Sequence, residues 1–246
     1  MNEVIRQLKD RKSCRIFDKK EVPSEVRSEI LKSALEAPTA GAMMLYTIID
    51  VTDAGKKKRL SVTCDNQPFI ADAPLVLVFL ADWQRWFDAF EFEGCDTRKP
   101  GKGDLLLACA DAIVAAQNTV VAAASLGLGS CYIGDIIENC EDVREILVLP
   151  EYVIPAAMVV YGYPGESQIR RKKPERFSVD HIVHKDSYRR LTSEEHYAMQ
   201  TDLSTRSGYP DKDITEAVKA ICKRKYMSDF SIEMNRSAEK YMENFK

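Results

Sequence analysis

The feature that most restricts how this chain can fold is the stretch from Leu105 to Leu126, which is rich in Ala and apolar on nearly every side. A helix of that composition needs cover all round. Asp111, Gln117 and Asn118 interrupt it, so it reads as a buried helix rather than a membrane span. In a chain of 246 residues, a partner subunit is a natural source of part of that cover. Gly127 and Gly129 supply the stop that a helix C-terminus calls for.

Around this helix the pattern alternates. Leu75 to Leu80 is a continuous apolar run and reads as a buried central strand. Leu45 to Val51 and Ala156 to Tyr161 are further strand candidates, and Ser130 to Asp135 is a short strand or loop. Helical spacing appears from Asn2 to Asp10, from a cap at Ser24 to Leu35 before Pro38, and from Asn139 to Leu147. Ala54 to Cys64 is a polar helix whose Lys56, Lys57, Lys58 and Arg59 form a solvated face. Beyond Tyr188 the chain is polar, with a break at Gly208-Tyr209-Pro210 and helical patterns over Ile214 to Tyr226 and Phe230 to Met242. Strands alternating with helices predict an α+β fold, a mixed sheet with helices on both faces.

Composition excludes several classes. A net charge of -3 builds in no general attraction to nucleic acid or to a membrane. The seven Cys form no C-x-x-C pair, so neither a disulfide framework nor a zinc site is suggested. With no apolar leader at Met1, the chain reads as a reduced, cytoplasmic protein. His181 and His184 have no further ligand beside them and read as surface residues, so no metal is expected. Neither a G-x-G-x-x-G nor a P-loop is present.

The chemistry-bearing stretch is Arg11-Lys12-Ser13-Cys14-Arg15-Ile16-Phe17. It sets three cations and a hydroxyl within five residues, a donor set that fits an anion such as a phosphate. The alternative is a solvated basic helix end, which favours cations near its carbonyls and needs no ligand. A second basic cluster, Arg170 to Arg176, could converge on the same phosphate. The small residues Thr39-Ala40-Gly41-Ala42 let backbone approach a flat ligand, or simply connect two elements. Trp83, Trp86, Phe87, Phe90 and Phe92 either wall a pocket for planar substrates or pack one helix face.

Taken in order, Arg11-Lys12-Ser13-x-Arg15-x-Phe17, Ala37-Pro38-Thr39-Ala40, Gln67-Pro68-Phe69-Ile70-x-x-Ala73-Pro74, Tyr132-Ile133-Gly134, Leu149-Pro150 and Gly162-Tyr163-Pro164 resemble the nitroreductase family. Lys173-Pro174-x-Arg176 and the segments after it resemble its oxygen-insensitive nitroreductase and flavin reductase P branch. The resemblance implies a homodimeric α+β flavoprotein with FMN at the subunit interface. Residues 1–165 would form the FMN-binding core, and 166–246 a C-terminal extension packed on the same domain or on the partner.

The activity implied is reduction of nitroaromatics, quinones or flavins by NADPH or NADH, in ping-pong hydride transfer through FMN N5. The alternative is a low-turnover flavin-binding protein for storage or redox sensing. Carried over by position, Arg11, Lys12 and Ser13 would hold phosphate and ribityl chain, and Arg15 would face the flavin N1 and O2 edge. Pro38, Thr39, Ala40 and Gln67 would meet the flavin from facing elements. Tyr132, Ile133 and Gly134 would line one ring face, and Lys173 and Arg176 would complete the phosphate site. The flavin carries the chemistry, so no catalytic side chain is assigned.

Two departures bear on the site. Gly41-Ala42-Met43-Met44 stands where the branch carries an amide after Ala40, and Glu175 stretches the branch's Lys-Pro-Arg by one residue. Lys172 and Lys173 therefore compete for the phosphate. Arg206 resembles an arginine used near the nicotinamide nucleotide, where it would favour NADPH, although a solvated arginine explains it too.

Overall fold

The structure, a computed structural model, describes residues 1–246. Four strands, β1 (Tyr46–Asp50), β2 (Leu75–Asp82), β3 (Gly129–Ile133) and β4 (Val153–Gly162), form one sheet in the order β1-β2-β4-β3. β2 is buried at every position, as its unbroken apolar run requires of a strand covered on both faces. All strand ladders are antiparallel. The parallel part of the expected mixed sheet is confined to one bridge, Ser13 to Ser130, which lays the basic segment along the outer edge of β3.

The period of two divides the core. Leu75, Leu77 and Phe79 of β2, with Val159 and Tyr161 of β4, face α2 (Ser24–Leu35) and α6 (Lys102–Ser125). Val76, Val78, Leu80, Met158 and Val160 face the other layer, α3 (Ala54–Thr63), α4 (Phe69–Asp72) and α7 (Cys140–Leu147). Ser24 is the first helical residue of α2 rather than its cap, and Pro23 holds the cap position without a side-chain bond.

α6 has the length and hydropathy of a membrane-crossing helix, with a mean hydropathy of 1.7. Its placement is that of a core helix: Ala108, Ala112, Ala115, Ala116, Val120 and Ala123 are fully buried. Their small side chains let the helix lie close to the sheet. The opposite side is bare, with Leu106 at 72% and Ile113 at 41% exposure. The all-round cover that its composition demands is thus only half supplied by its own chain.

The chain divides into two units, Met1–Arg171 with Ile232–Lys246, and Lys172–Ser231. This differs from a boundary at 165 for two reasons. α8 (Glu166–Arg170) is tied to the first unit, where Gln168 is 2% exposed. α12 (Asp229–Met242) returns there too: Tyr241 and Phe245 are buried, Phe245 packs edge-on to Tyr152, and Arg236 pairs with Glu141.

The second unit holds α9 (Val179–Ile182), α10 (Ser193–Arg206), α11 (Ile214–Ile221) and a π-helical turn, Cys222–Tyr226. α10 escapes an apolar-periodicity reading because its faces are polar. Its start signal is a reciprocal cap, Thr192 Oγ1 accepting from Glu195 N and Glu195 Oε2 accepting from Thr192 N. The aromatic cluster forms α5 (Gln84–Phe92), anchored where the indoles of Trp83 and Trp86 donate to the carbonyls of Asp104 and Met43, each at 2.7 Å.

Gly162 shows how tightly the basic segment is seated. A Cβ there would lie 2.7 Å from Phe17 Cδ1 and 2.8 Å from Pro74 Cδ. Gly162→Ala should therefore lower unfolding free energy by about 1–3 kcal/mol, the usual cost of overpacking, read as a reduced midpoint in urea at unchanged slope.

Candidate functional site

α1 (Glu3–Asp10) ends at Arg11, whose N–H closes the helix on Gln7 O. The chain then runs extended along β3 and past β4. Cys14 N donates to Ser130 O at 2.9 Å, Asp18 N to Tyr163 O at 2.8 Å, and Gly165 N to Ile16 O at 3.0 Å. Gly129 makes room for this strap, since a Cβ there would lie 2.6 Å from Cys14 Cβ. Gln168, buried on α8, clamps the strap from its other side. Its amide donates to Ser13 O at 3.0 Å and accepts from Arg15 N at 3.2 Å.

The side chains of the strap have different surroundings. Lys12 Nζ donates to the carbonyls of Ile169, at 2.8 Å, and Arg171, so it closes the end of α8. Arg15 is exposed, its guanidinium 5.9 Å over the Phe69 ring. The Ser13 hydroxyl bonds the Cys131 thiol. Arg11 borders a cleft of about 440 Å³ with Lys12, Gly127, Gly129, Ser130 and Gln168. Its Nε is buried and has no hydrogen-bond partner. A buried guanidinium nitrogen left unpaired is costly and calls for an anion.

Beyond β3, Gln67 donates through Nε2 to Cys64 O and to Asp135 Oδ2, both at 2.8 Å, which leaves its oxygen as the group it can offer. Ile133 is buried, and a Cβ on Gly134 would meet nothing within 4 Å, so the backbone there is open to a flat group. The Tyr132 hydroxyl donates to Gln117 at 3.3 Å, and burial pushes it up to about 12.

Thr39 and Ala40 belong to the opposite edge of the sheet, in the loop that leads into β1. Pro38 begins this loop. Three inter-strand spacings, roughly 14 Å, separate β1 from β3. One chain therefore does not bring the Thr39 loop to the Ser13 strap. The loop is fixed by Asp111, 5% exposed on α6. Its carboxylate accepts from the Thr39 hydroxyl, from Ala40 N at 3.1 Å and from Leu45 N at 3.2 Å. Thr39 Oγ1 in turn accepts from Met44 N at 2.8 Å. These bonds stand where the expected amide is missing.

Lys173, Arg176 and Arg206 lie in the second unit. Arg176 is exposed and donates to the Pro174 carbonyl at 3.2 Å. Arg206 is paired with Asp202 at 2.7 Å and Glu175 at 3.4 Å, and it donates to Arg176 O at 2.8 Å. It thereby braces the segment that carries Arg176, with its guanidinium taken up by two carboxylates. Sequence reasoning did not single out Asp111 or Gln168 as site-forming. A lone acid inside an apolar helix was the available signal for Asp111; nothing in the sequence around Gln168 distinguishes it.

Known proteins share this arrangement of chain. A model of the nitroreductase family matches residues 8–163. An FMN reductase (NADPH) of Bacillus subtilis is 33% identical over 211 residues, covering 85% of this chain and 84% of the relative. A Cr(VI) reductase of a Pseudomonas species is 31% identical over 229 residues, 93% and 92% of the two chains. The solved structure of B. megaterium NfrA2 superposes with a TM-score of 0.79 at 32% identity, over 96% of this chain and 98% of that one.

Removing the Asp111 carboxylate should free the Thr39 loop. Asp111→Ala leaves the Ala40 and Leu45 N–H groups unpaired, and about 2–4 kcal/mol of stability should be lost. Limited proteolysis should then cut between residues 39 and 45 faster than in wild type.

Proposed function

The chain belongs to the nitroreductase family, and from that membership we propose that it is an FMN-dependent NAD(P)H oxidoreductase that reduces small acceptors such as nitroaromatics, quinones or flavins. The observation that carries the residue assignment is the unpaired Nε of Arg11 in the cleft beside the Ser13 strap. A phosphate supplies the anion it lacks, so the residues fit the group.

Bound FMN supplies two-electron chemistry, receiving hydride from the nicotinamide and passing it to the acceptor. Arg11 and Ser13 hold the phosphate and ribityl end. Lys12 closes α8 and so keeps Gln168 in place, and its third N–H is left over for the phosphate. Arg15 sets a fixed positive charge at the ring, which favours the reduced state without reorganisation. Gln67 offers an acceptor oxygen, and Tyr132, Ile133 and Gly134 give one ring face an open backbone. Lys173 and Arg176, which the family resemblance assigns to the phosphate, belong to the second unit; Pro38, Thr39 and Ala40 meet the ring from a partner subunit.

Two observations support a homodimer. The Thr39 loop and the Ser13 strap occupy opposite edges of one sheet. The apolar stripe of α6 through Leu106, Leu107, Ile113 and Val114 is uncovered. A second copy seated on α6 covers the stripe and brings a Thr39 loop to each strap. Light scattering should give a dimer for wild type and a monomer, with weakened FMN binding, for Ile113→Glu.

The deciding experiment is anaerobic titration of FMN-loaded protein with NADPH and then NADH. Bleaching of the flavin bands, with ping-pong steady-state kinetics toward a quinone, supports the oxidoreductase. Bands that persist with both donors support the flavin-storage alternative. In Arg11→Ala, FMN binding should weaken by about 1.5–3 kcal/mol, roughly 10- to 150-fold. Its apoprotein should be no less stable than wild type, because a buried N–H without a partner is gone. Wild-type FMN affinity in this variant would remove Arg11 from the phosphate site.

A further inference from the structure

The turn after β3, Gly134–Ile137, leads into an acidic group with no part in the reaction as described. Glu138 is 3% exposed, and its Oε1 has no hydrogen-bond partner. Its carboxyl stands at hydrogen-bonding range of Asp135, whose Oδ2 accepts from Gln67 Nε2 at 2.8 Å. Two ionised carboxylates cannot bond to each other; one proton between them lets them do so.

The other charges that face Glu138 are acidic as well. Asp65 lies in the turn after α3, and Glu233 projects from α12. Arg236, beside Glu233, is spent on Glu233 and Glu141. Cys64 is a buried thiol that Asp135 and Glu138 further hold in its neutral form. Burial first, and Asp135 second, push Glu138 up to about 8.

We propose that Glu138 and Asp135 share one proton at neutral pH, and that the pair locks the Gln67 amide with its N–H groups turned inward and its oxygen toward the cofactor. Glu138 is then a positioning residue acting through Asp135 and Gln67; this rests on reading Gln67 as an FMN contact. A primary amide presents two different faces, and only acceptors at its nitrogen fix which one is offered. Cys64 O and Asp135 Oδ2 are those acceptors. The shared proton therefore belongs on Glu138, the more buried of the two. When it leaves, two negative charges face each other inside the protein, at the end of the strand that lines the ring site. That added charge opposes the arrival of electrons there.

The proton also makes stability depend on pH. An unfolded Glu ionises near 4.5 and the folded Glu138 near 8. Between those values the native state holds a proton that the unfolded state has lost, so stability falls as pH rises through that window and levels off above it. Glu138→Gln keeps a donor toward Asp135 and does not titrate, so its stability should fall less over the same window.

The test is the midpoint potential of FMN-loaded wild type and Glu138→Gln across the pH range. Below about pH 8 the two lines should run parallel; above it the wild-type potential should drop below that of the variant, and the gap should widen. Lines parallel throughout would overturn the proposal. A readout that needs neither FMN nor a variant is the infrared spectrum of the apoprotein. It should contain a protonated-carboxyl band at neutral pH that disappears above about pH 8, and its absence at neutral pH would equally overturn the proposal. A protein that takes up no FMN would sink the link to the cofactor together with the proposed function, while the infrared band would still decide whether the proton is shared.

Discussion

The docking of residues 13–18 along the free edge of β3 and the end of β4 is the constraint on which the candidate site depends. It satisfies backbone groups that an edge strand would otherwise leave open. It also sorts the basic side chains, because an extended chain alternates them. Lys12 and Cys14 are consumed by α8 and by the space above Gly129, while Arg11 borders the cleft and Arg15 stays exposed. Two missing Cβ atoms, at Gly129 and Gly162, permit the approach. A basic cluster that reads as a helix end in sequence is in fact a fifth, partial strand whose charges are aimed by the sheet.

Two buried polar side chains fix the geometry at the two edges. Gln168 holds the strap by its backbone, and Asp111 holds the Thr39 loop by its backbone and one hydroxyl. Burying such groups is expensive unless their bonds are made, and here Asp111 receives three donors, one hydroxyl and two backbone N–H groups. A position defined this way is sharper than one defined by apolar packing, since the donors sit on consecutive stretches of one loop. The sheet order then has a consequence. With the strap and the loop at opposite edges, a ligand that touches both must be shared between two copies, and the bare side of α6 is the surface that such a copy would cover.

The elements carried by apolar periodicity were legible in the sequence: α2, α6, α7 and the four strands lie within a few residues of where their patterns put them. The antiparallel ladders were not, because a strand buried on both faces has the same unbroken apolar run whatever the direction of its neighbours. α10 was missed because a helix polar on all faces has no stripe to count, and its reciprocal Thr192–Glu195 cap was the only local sign. Within the site, the motif positions were legible while their supports were not. Gln168 and Asp111 act through contacts 153 and 66 residues away in sequence, and nothing near either residue announces such a partner.

Charge along β3 and its turn is arranged in opposite senses. Arg11 and Arg15 act on Cys131 at the middle of the strand and Asp135 opposes them there, while Glu138 follows beyond the strand's end. A cofactor ring laid along this strand meets the Arg15 cation and, past the strand's end, the two acids. The cation prevails at the ring only if the acids are weak. Both carboxylates ionised would set a buried double charge against the ring that is to accept electrons. One retained proton halves that charge without moving an atom, and it leaves Asp135 as the single acceptor that Gln67 needs. The burial of Glu138, costly for a charged group, is compatible with the fold because the group there is neutral.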